Sequence, residues 1–591
     1  MLPHAPFVLL DDARPGGAPA RLYADPVRIV TAHAVANVAP ALETLRAARG
    51  EGLHAAGYLH YEAGAAFHPR APVPADPRRP LLWFGLFEGF REVEADAVPA
   101  LLPDPAGAWI GAVRPEIDEA GYGVRIARIL DLIAAGDIYQ ANLTFRTEVR
   151  HAGDPAALYA RIRARAGGGY GALVATGDDW ILSFSPEMFF ALSGGTLTAR
   201  PMKGTAIRGA TPEADAANAA LLRSDPKQRA ENLMIVDLMR NDLSRVAVAG
   251  SVKVPSLFAV ETYPTVHQLV STVTATLAPG HDAIDAISTL FPCGSITGAP
   301  KLRAMQAIGE VEGNARDLYT GSIGRLDANG DAMFNVAIRT LAVAGGDGHA
   351  RLGLGSAVVA DSNATEEWEE CLAKGAFVAV EQRPFDLIET MAFDPEDGIP
   401  LLERHLDRMK ASADLFGFAF DRHGTRNELQ AATFRLRAPA RIRLLLAPSG
   451  TIAIGAAPLP AAVETPVRVA LAPLPVSPGD FRLRHKTSDR GFYDAARGAS
   501  GAFEVLFTDP DGFLTEGSFT SLFIERGGML VTPPLSRGLL PGVLRAELID
   551  SGRAVEGDLT PADLADGFFV GNSLRGLIAA VAVAEPIAAA V

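Results

Sequence analysis

The chain has 591 residues, too many for one ordinary core, and its length alone points to two to four domains. With 48% hydrophobic and 21% charged residues it has the composition of a soluble globular protein, and its formal charge of −15 argues against nucleic acid as a default partner. Its two cysteines, Cys293 and Cys371, exclude a disulfide framework or a cysteine-based zinc site and fit a reducing cytoplasm.

Met1 to Asp12 lacks a basic start followed by a long apolar core, so no signal peptide is expected. The apolar tail from Leu577 is broken by Glu585-Pro586, well short of a membrane span. Short apolar runs such as Phe7-Val-Leu-Leu10 and Leu81-Leu-Trp-Phe-Gly-Leu-Phe87, separated by proline-rich turns, read as strands of an opening sheet. Within Gly57-Tyr-Leu-His-Tyr-Glu-Ala-Gly64, the Tyr and Glu read as ordinary packing. From Ile117 to Ala135 the positions Tyr122, Ile126, Ile129, Leu130 and Ile133 follow helical spacing, ended by Gly136. Strands are predicted at Gln140–Phe145 and at Trp180–Phe184, the second stopped by Pro186 so that Glu187 stands at a bend. Gly194-Gly195 turns the chain and Leu197–Pro201 returns it, which can bring Glu187 and Lys203 into one site.

Lys203 lies between a strand-like run and a glycine, and Glu231 opens an apolar segment of helical period. Two readings stand for them: a structural ion pair, or a nucleophilic amine beside a metal-binding acid. A further helix, Ala364–Lys374, carries Glu367 and Glu370 three residues apart on one face, with Glu366 and Glu369 on a solvated face. A carboxylate cluster with no matching lysines is costly unless a cation sits in it, and magnesium is the hard ion that takes such oxygens. The run Gly353-Leu-Gly-Ser-Ala-Val-Val is no nucleotide signature, since no Walker lysine follows it. In the C-terminal third, Asp509-Pro-Asp-Gly512 reads as a hairpin turn ahead of Glu516. Lys486 in His485-Lys-Thr is by itself either a surface lysine or a cofactor lysine.

Several blocks carry a wider resemblance: Gly136-Asp-Ile-Tyr-Gln-Ala-Asn-Leu143, Ser183-Phe-Ser-Pro-Glu187, Arg200-Pro-Met-Lys-Gly-Thr205, Ala230-Glu-Asn-Leu233, Phe291-Pro-Cys-Gly-Ser-Ile-Thr-Gly-Ala-Pro-Lys301 and Ala337-Ile-Arg-Thr340. Together they resemble the chorismate-utilising enzymes, nearest the aminodeoxychorismate synthase component I branch. A second set is Phe385-Asp-Leu-Ile-Glu-Thr-Met391, Leu401-Leu-Glu-Arg-His-Leu-Asp-Arg408, His485-Lys-Thr-Ser-Asp-Arg490, Leu514-Thr-Glu-Gly-Ser518, Leu540-Pro-Gly-Val-Leu-Arg545 and Gly571-Asn-Ser-Leu-Arg575. It resembles the fold-type IV pyridoxal-phosphate proteins, most of all aminodeoxychorismate lyases. The resemblance implies an α/β (α+β) chain: a chorismate-binding two-sheet α/β sandwich over residues 1–383, then a D-amino acid aminotransferase-like domain over 384–591. No long linker separates them, so close packing or a short hinge is expected.

For the first site the resemblance assigns Glu231 and Glu370 as Mg2+ ligands with Glu367 close by. It makes Glu187 the general acid, Lys203 the covalent nucleophile and Arg339 the carboxylate clamp, with Gly294, Ser295 and Thr297 as further substrate contacts. Anthranilate synthases usually read Pro-Ile-Ala-Gly-Thr where this chain has Pro201-Met-Lys-Gly-Thr205, so Lys203 favours the para-amino product. Gln228 stands where relatives often carry an acid, and Leu354 and Ser356 depart from the family's glycine-rich run. For the second site it assigns pyridoxal 5'-phosphate on Lys486, Glu516 at the pyridine nitrogen, and Arg408, Val543, Leu544 and Ser573 around the phosphate. Phe519, Thr520 and Ser521 depart from the common Asn-containing version. The implied activity makes 4-aminobenzoate from chorismate, with ammonia from a separate glutamine amidotransferase subunit. A homodimer through the C-terminal domain is the implied assembly. The alternatives are an anthranilate-type first domain with a transaminase, or a C-terminal domain that is a non-catalytic scaffold.

Overall fold

A computed structural model describes residues 2–71, 79–177, 179–263, 266–344 and 347–583; the Glu585-Pro586 break in the apolar tail lies outside them. Among these residues no helix is long and apolar enough to cross a membrane.

Two ten-stranded sheets build the N-terminal part. One has the long strands Gln140–Gly153 and Gly348–Val358 paired antiparallel near an edge, and Thr340–Ala344, Asp179–Ser185, Tyr170–Ala175 and Phe7–Asp11 toward its centre. The other runs from Met202–Ile207 through Val266–Thr276, Thr196–Arg200, Met188–Ser193, Ala332–Asn335, Ser322–Leu326 and His54–Leu59 to Leu82–Phe87 and Arg28–Ala32. They face each other across a layer that includes Val8, Tyr23, Tyr58, Trp83, Val174, Ile181 and Ile323. Helices cover the outer faces: Glu119–Ala134 and Pro155–Ala166 share a core with the first sheet, Val35–Gly50 and Pro226–Ser244 with the second. Covering both faces explains why Leu82–Phe87 is buried at every position and reads as a continuous apolar run.

The predicted strands appear with longer bounds and the predicted helix with shorter ones. The strand expected at 140–145 extends to Gly153, and the helix expected from 117 spans Glu119–Ala134. In that helix Leu132 is buried, whereas Leu130 and Ile133 are only partly covered. Asp118 caps it by accepting a bond from the Gly121 amide.

Strand pairing changes after Val378. A three-stranded sheet, Leu387–Phe393, Ala440–Leu446 and Ile452–Pro458, is followed by an eight-stranded one, which includes Glu504–Thr508, Leu514–Gly517 and Phe568–Asn572. The halves pack closely. Trp109 meets Phe416 edge-on with ring centres 4.9 Å apart, and the Gln382 amide exchanges two hydrogen bonds with the Ile110 backbone.

Candidate active sites

The first site forms where the strand Met202–Ile207 passes the helix Pro226–Ser244. Asp225 caps that helix through the Gln228 amide, and Pro226 supplies a first-turn residue with no amide to satisfy. Lys203 Nζ reaches Glu231 Oε2 at 2.9 Å. Asn232, fully buried, fixes the register by donating to the Lys203 and Leu269 carbonyls while accepting from Ser271. Gly204 has a φ of +110°, and a Cβ there would stand 2.9 Å from Gln228 Oε1 and 3.1 Å from Leu269 Cβ. The departure at Gln228 therefore packs against the strand that carries Lys203.

Glu187 sits where the chain crosses from one sheet to the other, between the strands Asp179–Ser185 and Met188–Ser193, and is only 5% exposed. Ser295 donates to its Oε1 at 2.8 Å. Burial pushes the carboxyl up to about 7, an effect that the Ser295 bond and the Met202 amide only partly offset. Val336–Arg339 runs alongside this bend, with the Val336 amide on the Glu187 carbonyl and the Phe184 amide on the Arg339 carbonyl. Arg339 itself has a left-handed backbone, φ 49°. Its guanidinium makes no ion pair among the described residues, and burial lowers its pKa. Thr297 is wholly buried and donates to the Cys293 and Gly294 carbonyls, so it holds the turn that presents Ser295. Gly294 lies against Leu238 of the Glu231 helix, where a Cβ would come within 2.5 Å.

The acid cluster differs from expectation. Glu370 is paired with Lys374 at 2.6 Å, and Glu367 accepts from Ser362 at 2.7 Å. The reading of carboxylates without matching lysines is therefore overturned: the i, i+4 spacing of Glu370 and Lys374 supplies one partner and the strand carrying Lys203 supplies another. Burial raises the Glu370 pKa, but Lys374, then Lys203 and Lys227, bring it below the ordinary value. These carboxylates are the donor type a hard divalent ion takes, but among the described residues Glu231, Glu367 and Glu370 do not bring their ligand atoms within 4.8 Å of one another, Glu370 leaves 51% of its side chain exposed, and ammonium groups answer their charge. Glu366 and Glu369 are exposed, as expected.

Sequence reasoning missed a second acidic group. Ligand atoms of His60, Glu62 and Asp317 lie within 4.8 Å of one another. Asp317 is paired with Arg146 and Arg351, and Glu62 accepts the Arg316 amide at 2.6 Å. Gly353 also has a reason beyond ligand contact: a Cβ there would come 2.1 Å from the Tyr319 ring.

The second site is a cavity of about 580 Å³ between the two C-terminal sheets, lined by Lys486, Glu516, Arg408, Val543, Leu544 and Ser573 among others. All the residues assigned to the second cofactor thus face one space. Lys486 is half-buried, and the surrounding protein, with Arg408 next, lowers its pKa to about 7. Glu516 is raised to about 7 by burial and accepts a 2.7 Å bond from the Tyr493 hydroxyl. Arg408 is held two-pronged by Glu389, which also meets His405, and its remaining arm donates to the Pro541 carbonyl. Burial would raise the Glu389 pKa, but Arg408 and His405 keep it well below the carboxylate range. Pro541 leads into the helix Val543–Asp550, whose opening turn faces the cavity. Ser518 and two of the departing residues, Phe519 and Thr520, wrap the buried Glu504 carboxylate. A phosphate-bearing pyridine aldehyde fits this set: a lysine with a low pKa, an acid for a ring nitrogen, and a cationic end with a helix N-terminus.

The first domain reaches the lysine segment. Asp347, in the turn before Gly348–Val358, accepts from the Gly153 amide at 2.8 Å and from Arg484 at 2.9 Å, and meets His485 Nε2 at 3.2 Å. The other nitrogen of His485 faces Ser412 at 2.9 Å. Asp347→Ala is expected to slow the second-site reaction severalfold through misplacement of Lys486, leave the first reaction unchanged, and cost about 1.5–3 kcal/mol of stability. Paired kinetic assays and a denaturant titration read these effects.

Residues 6–380 match the chorismate binding enzyme model, and residues 386–583 match amino-transferase class IV. Aminodeoxychorismate synthase component 1 of Klebsiella aerogenes is 38% identical over 340 residues, 54% of this chain and 75% of that protein. Anthranilate synthase component 1 of Streptomyces coelicolor is 35% identical over 393 residues, 59% of this chain and 76% of that protein. The crystal structure of anthranilate synthase component I from Streptococcus pneumoniae superposes with a TM-score of 0.52 at 25% identity, covering 64% of this chain and 93% of that one. Fold and sequence agree: the chain belongs to the chorismate-binding enzyme family and carries a fold-type IV, class IV aminotransferase domain behind the chorismate-binding one.

Proposed function

We propose that the first domain aminates chorismate to 4-amino-4-deoxychorismate and that the second eliminates pyruvate from it to give 4-aminobenzoate. The observation that carries this reading is Lys203, placed against Glu231 at the junction of strand and helix and joined in one chain to a lysine-containing cofactor cavity. Relatives include both aminodeoxychorismate and anthranilate synthases, so the amine at 203 is what favours the para product.

Chorismate carries two carboxylates and a poorly leaving hydroxyl. Glu187, protonated through much of the neutral range, donates its proton to that hydroxyl as the carbon–oxygen bond breaks. Lys203 Nζ, after losing its proton, attacks the ring, and ammonia then displaces it. Arg339 takes a carboxylate with its fork. Glu231, Glu370 and Glu367 would hold magnesium, which when bound offsets the charge of a substrate carboxylate.

Ammonia has to reach this site from elsewhere. Cys293 is buried with its pKa raised to about 12, and Cys371 is buried and raised as well, so neither presents a ready thiolate for glutamine hydrolysis. The name component 1 in the relatives supports a separate glutamine amidotransferase partner. In the second cavity, pyridoxal phosphate when bound supplies an electron sink. Arg408 with the Val543 and Leu544 amides would hold its phosphate and Glu516 would face its pyridine nitrogen, while Lys486 is placed to take the ring proton of the substrate.

The direct test feeds chorismate, magnesium and ammonium to the purified chain and identifies the aromatic product by chromatography. The para isomer together with one equivalent of pyruvate is expected; the ortho isomer would overturn the reading. The Glu187 pKa also sets a pH dependence. Its acid form is lost above about 7, so at a fixed concentration of free ammonia the amination rate is expected to fall about tenfold per unit beyond that. Glu187→Gln removes this limb and lowers the rate by about 10²–10⁴-fold in a pH-rate profile. For stability the sign is the same. The folded carboxyl holds its proton more tightly than an unfolded one near pH 4.3, so stability declines as pH rises from there to about 7.

A further inference from the structure

The strand Ala440–Leu446 alternates strictly over its first five residues: Ala440, Ile442 and Leu444 are buried, Arg441 and Arg443 exposed. The pleat therefore sends both arginines to the face away from the core, and that face lines the second cavity. Arg575, beyond the strand Phe568–Asn572, lines the same cavity. Altogether six arginines and Lys486 face this space, against the carboxylates of Asp494 and Glu516 alone.

Several of these charges are already committed. Arg408 is locked to Glu389, Arg497 to Asp494 at 2.8 Å, and the Arg490 guanidinium lies 4.5 Å from the centre of the Tyr493 ring. Arg441, Arg443 and Arg575 form no ion pair among the described residues, and Arg575 has only the Phe503 ring, 5.7 Å from its guanidinium, as a partner. Arg443 is near enough to Lys486 to depress its pKa. A cofactor phosphate at Arg408 and the helix Val543–Asp550 leaves these three uncompensated. A neutral or singly charged amino acid would leave most of that excess in place.

We propose that Arg441, Arg443 and Arg575 form a substrate subsite that grips the two carboxylates of a dianionic ring substrate, so that the second domain selects dicarboxylates over monocarboxylates. This deepens the lyase reading and rests on it for the identity of the substrate, but the charge selectivity can be measured without turnover. Each two-pronged arginine–carboxylate contact is worth roughly tenfold or more in affinity.

The test titrates the full chain, loaded with pyridoxal phosphate, with isophthalate and with benzoate in a calorimeter. Isophthalate is expected to bind at least about tenfold more tightly, and the preference to collapse in Arg441→Ala/Arg443→Ala and to weaken in Arg575→Ala. Arg443→Lys should restore part of it, because a point charge replaces the fork. Because the first domain is identical in all these proteins, the difference between them reads the second cavity alone. Equal affinities for the two probes, or a preference that survives the double substitution with an unchanged melting temperature, would overturn the subsite. Pyruvate release from 4-amino-4-deoxychorismate is scored separately. Its absence in the unaltered chain removes the lyase reading while leaving the measured selectivity intact.

Discussion

Lys203→Ala is expected to reduce formation of 4-amino-4-deoxychorismate by at least about 10³-fold while leaving the second reaction untouched. The substitution removes the group that would bond to the ring, and among the described residues no other amine forms an ion pair with Glu231. It also strips Glu231 of its ammonium partner, so the carboxylate is left free to bind a metal. The variant should therefore bind magnesium no more weakly than the parent chain, although it turns over far more slowly. Calorimetry with magnesium and a chromatographic assay measure the two effects independently. Undiminished amination would remove the covalent mechanism. Folding is expected to persist, because Asn232 still ties the strand to the helix through backbone carbonyls.

Lys486→Ala is expected to produce the converse. Chorismate should be consumed at the parental rate, 4-amino-4-deoxychorismate should accumulate, and pyruvate release should fall by at least about 10³-fold. Borohydride reduction of the parent chain loaded with pyridoxal phosphate should fix the cofactor to the peptide that contains Lys486, and the variant should yield no such peptide. With a pKa of about 7, this amine is largely neutral at mildly alkaline pH, the state required to take a proton from substrate. If the variant still releases pyruvate, the C-terminal domain is not the lyase. The two substitutions together divide the pathway, since one stops it before the intermediate and the other after.

How much of this was legible beforehand varies from element to element. The helix over residues 119–134 could be read because its apolar spacing is local, and the hairpin ahead of Glu516 because Asp-Pro-Asp-Gly dictates a turn. The Lys374 partner of Glu370 is equally readable from its i, i+4 spacing. His60, Glu62 and Asp317 gave no such signal, since their approach depends on two strands pairing more than 250 positions apart in the chain.

By itself the sequence determined the residue types of both sites: an amine at 203, acids at 187, 231 and 516, and an amine at 486, each carried by a motif whose chemistry is set within a few positions. Only the tertiary structure decided which of these groups touch. Lys203 meets Glu231 because Asn232 sets the strand against the helix, and the Glu187 carboxyl is pushed up to about 7 because the fold removes water from it. The same holds for Asp347, which reaches across 138 positions to His485, and for the arginines that the pleat of a single strand turns toward the cavity. Ion pairing and desolvation depend on distance in space and on the exclusion of solvent, and neither is encoded by local periodicity.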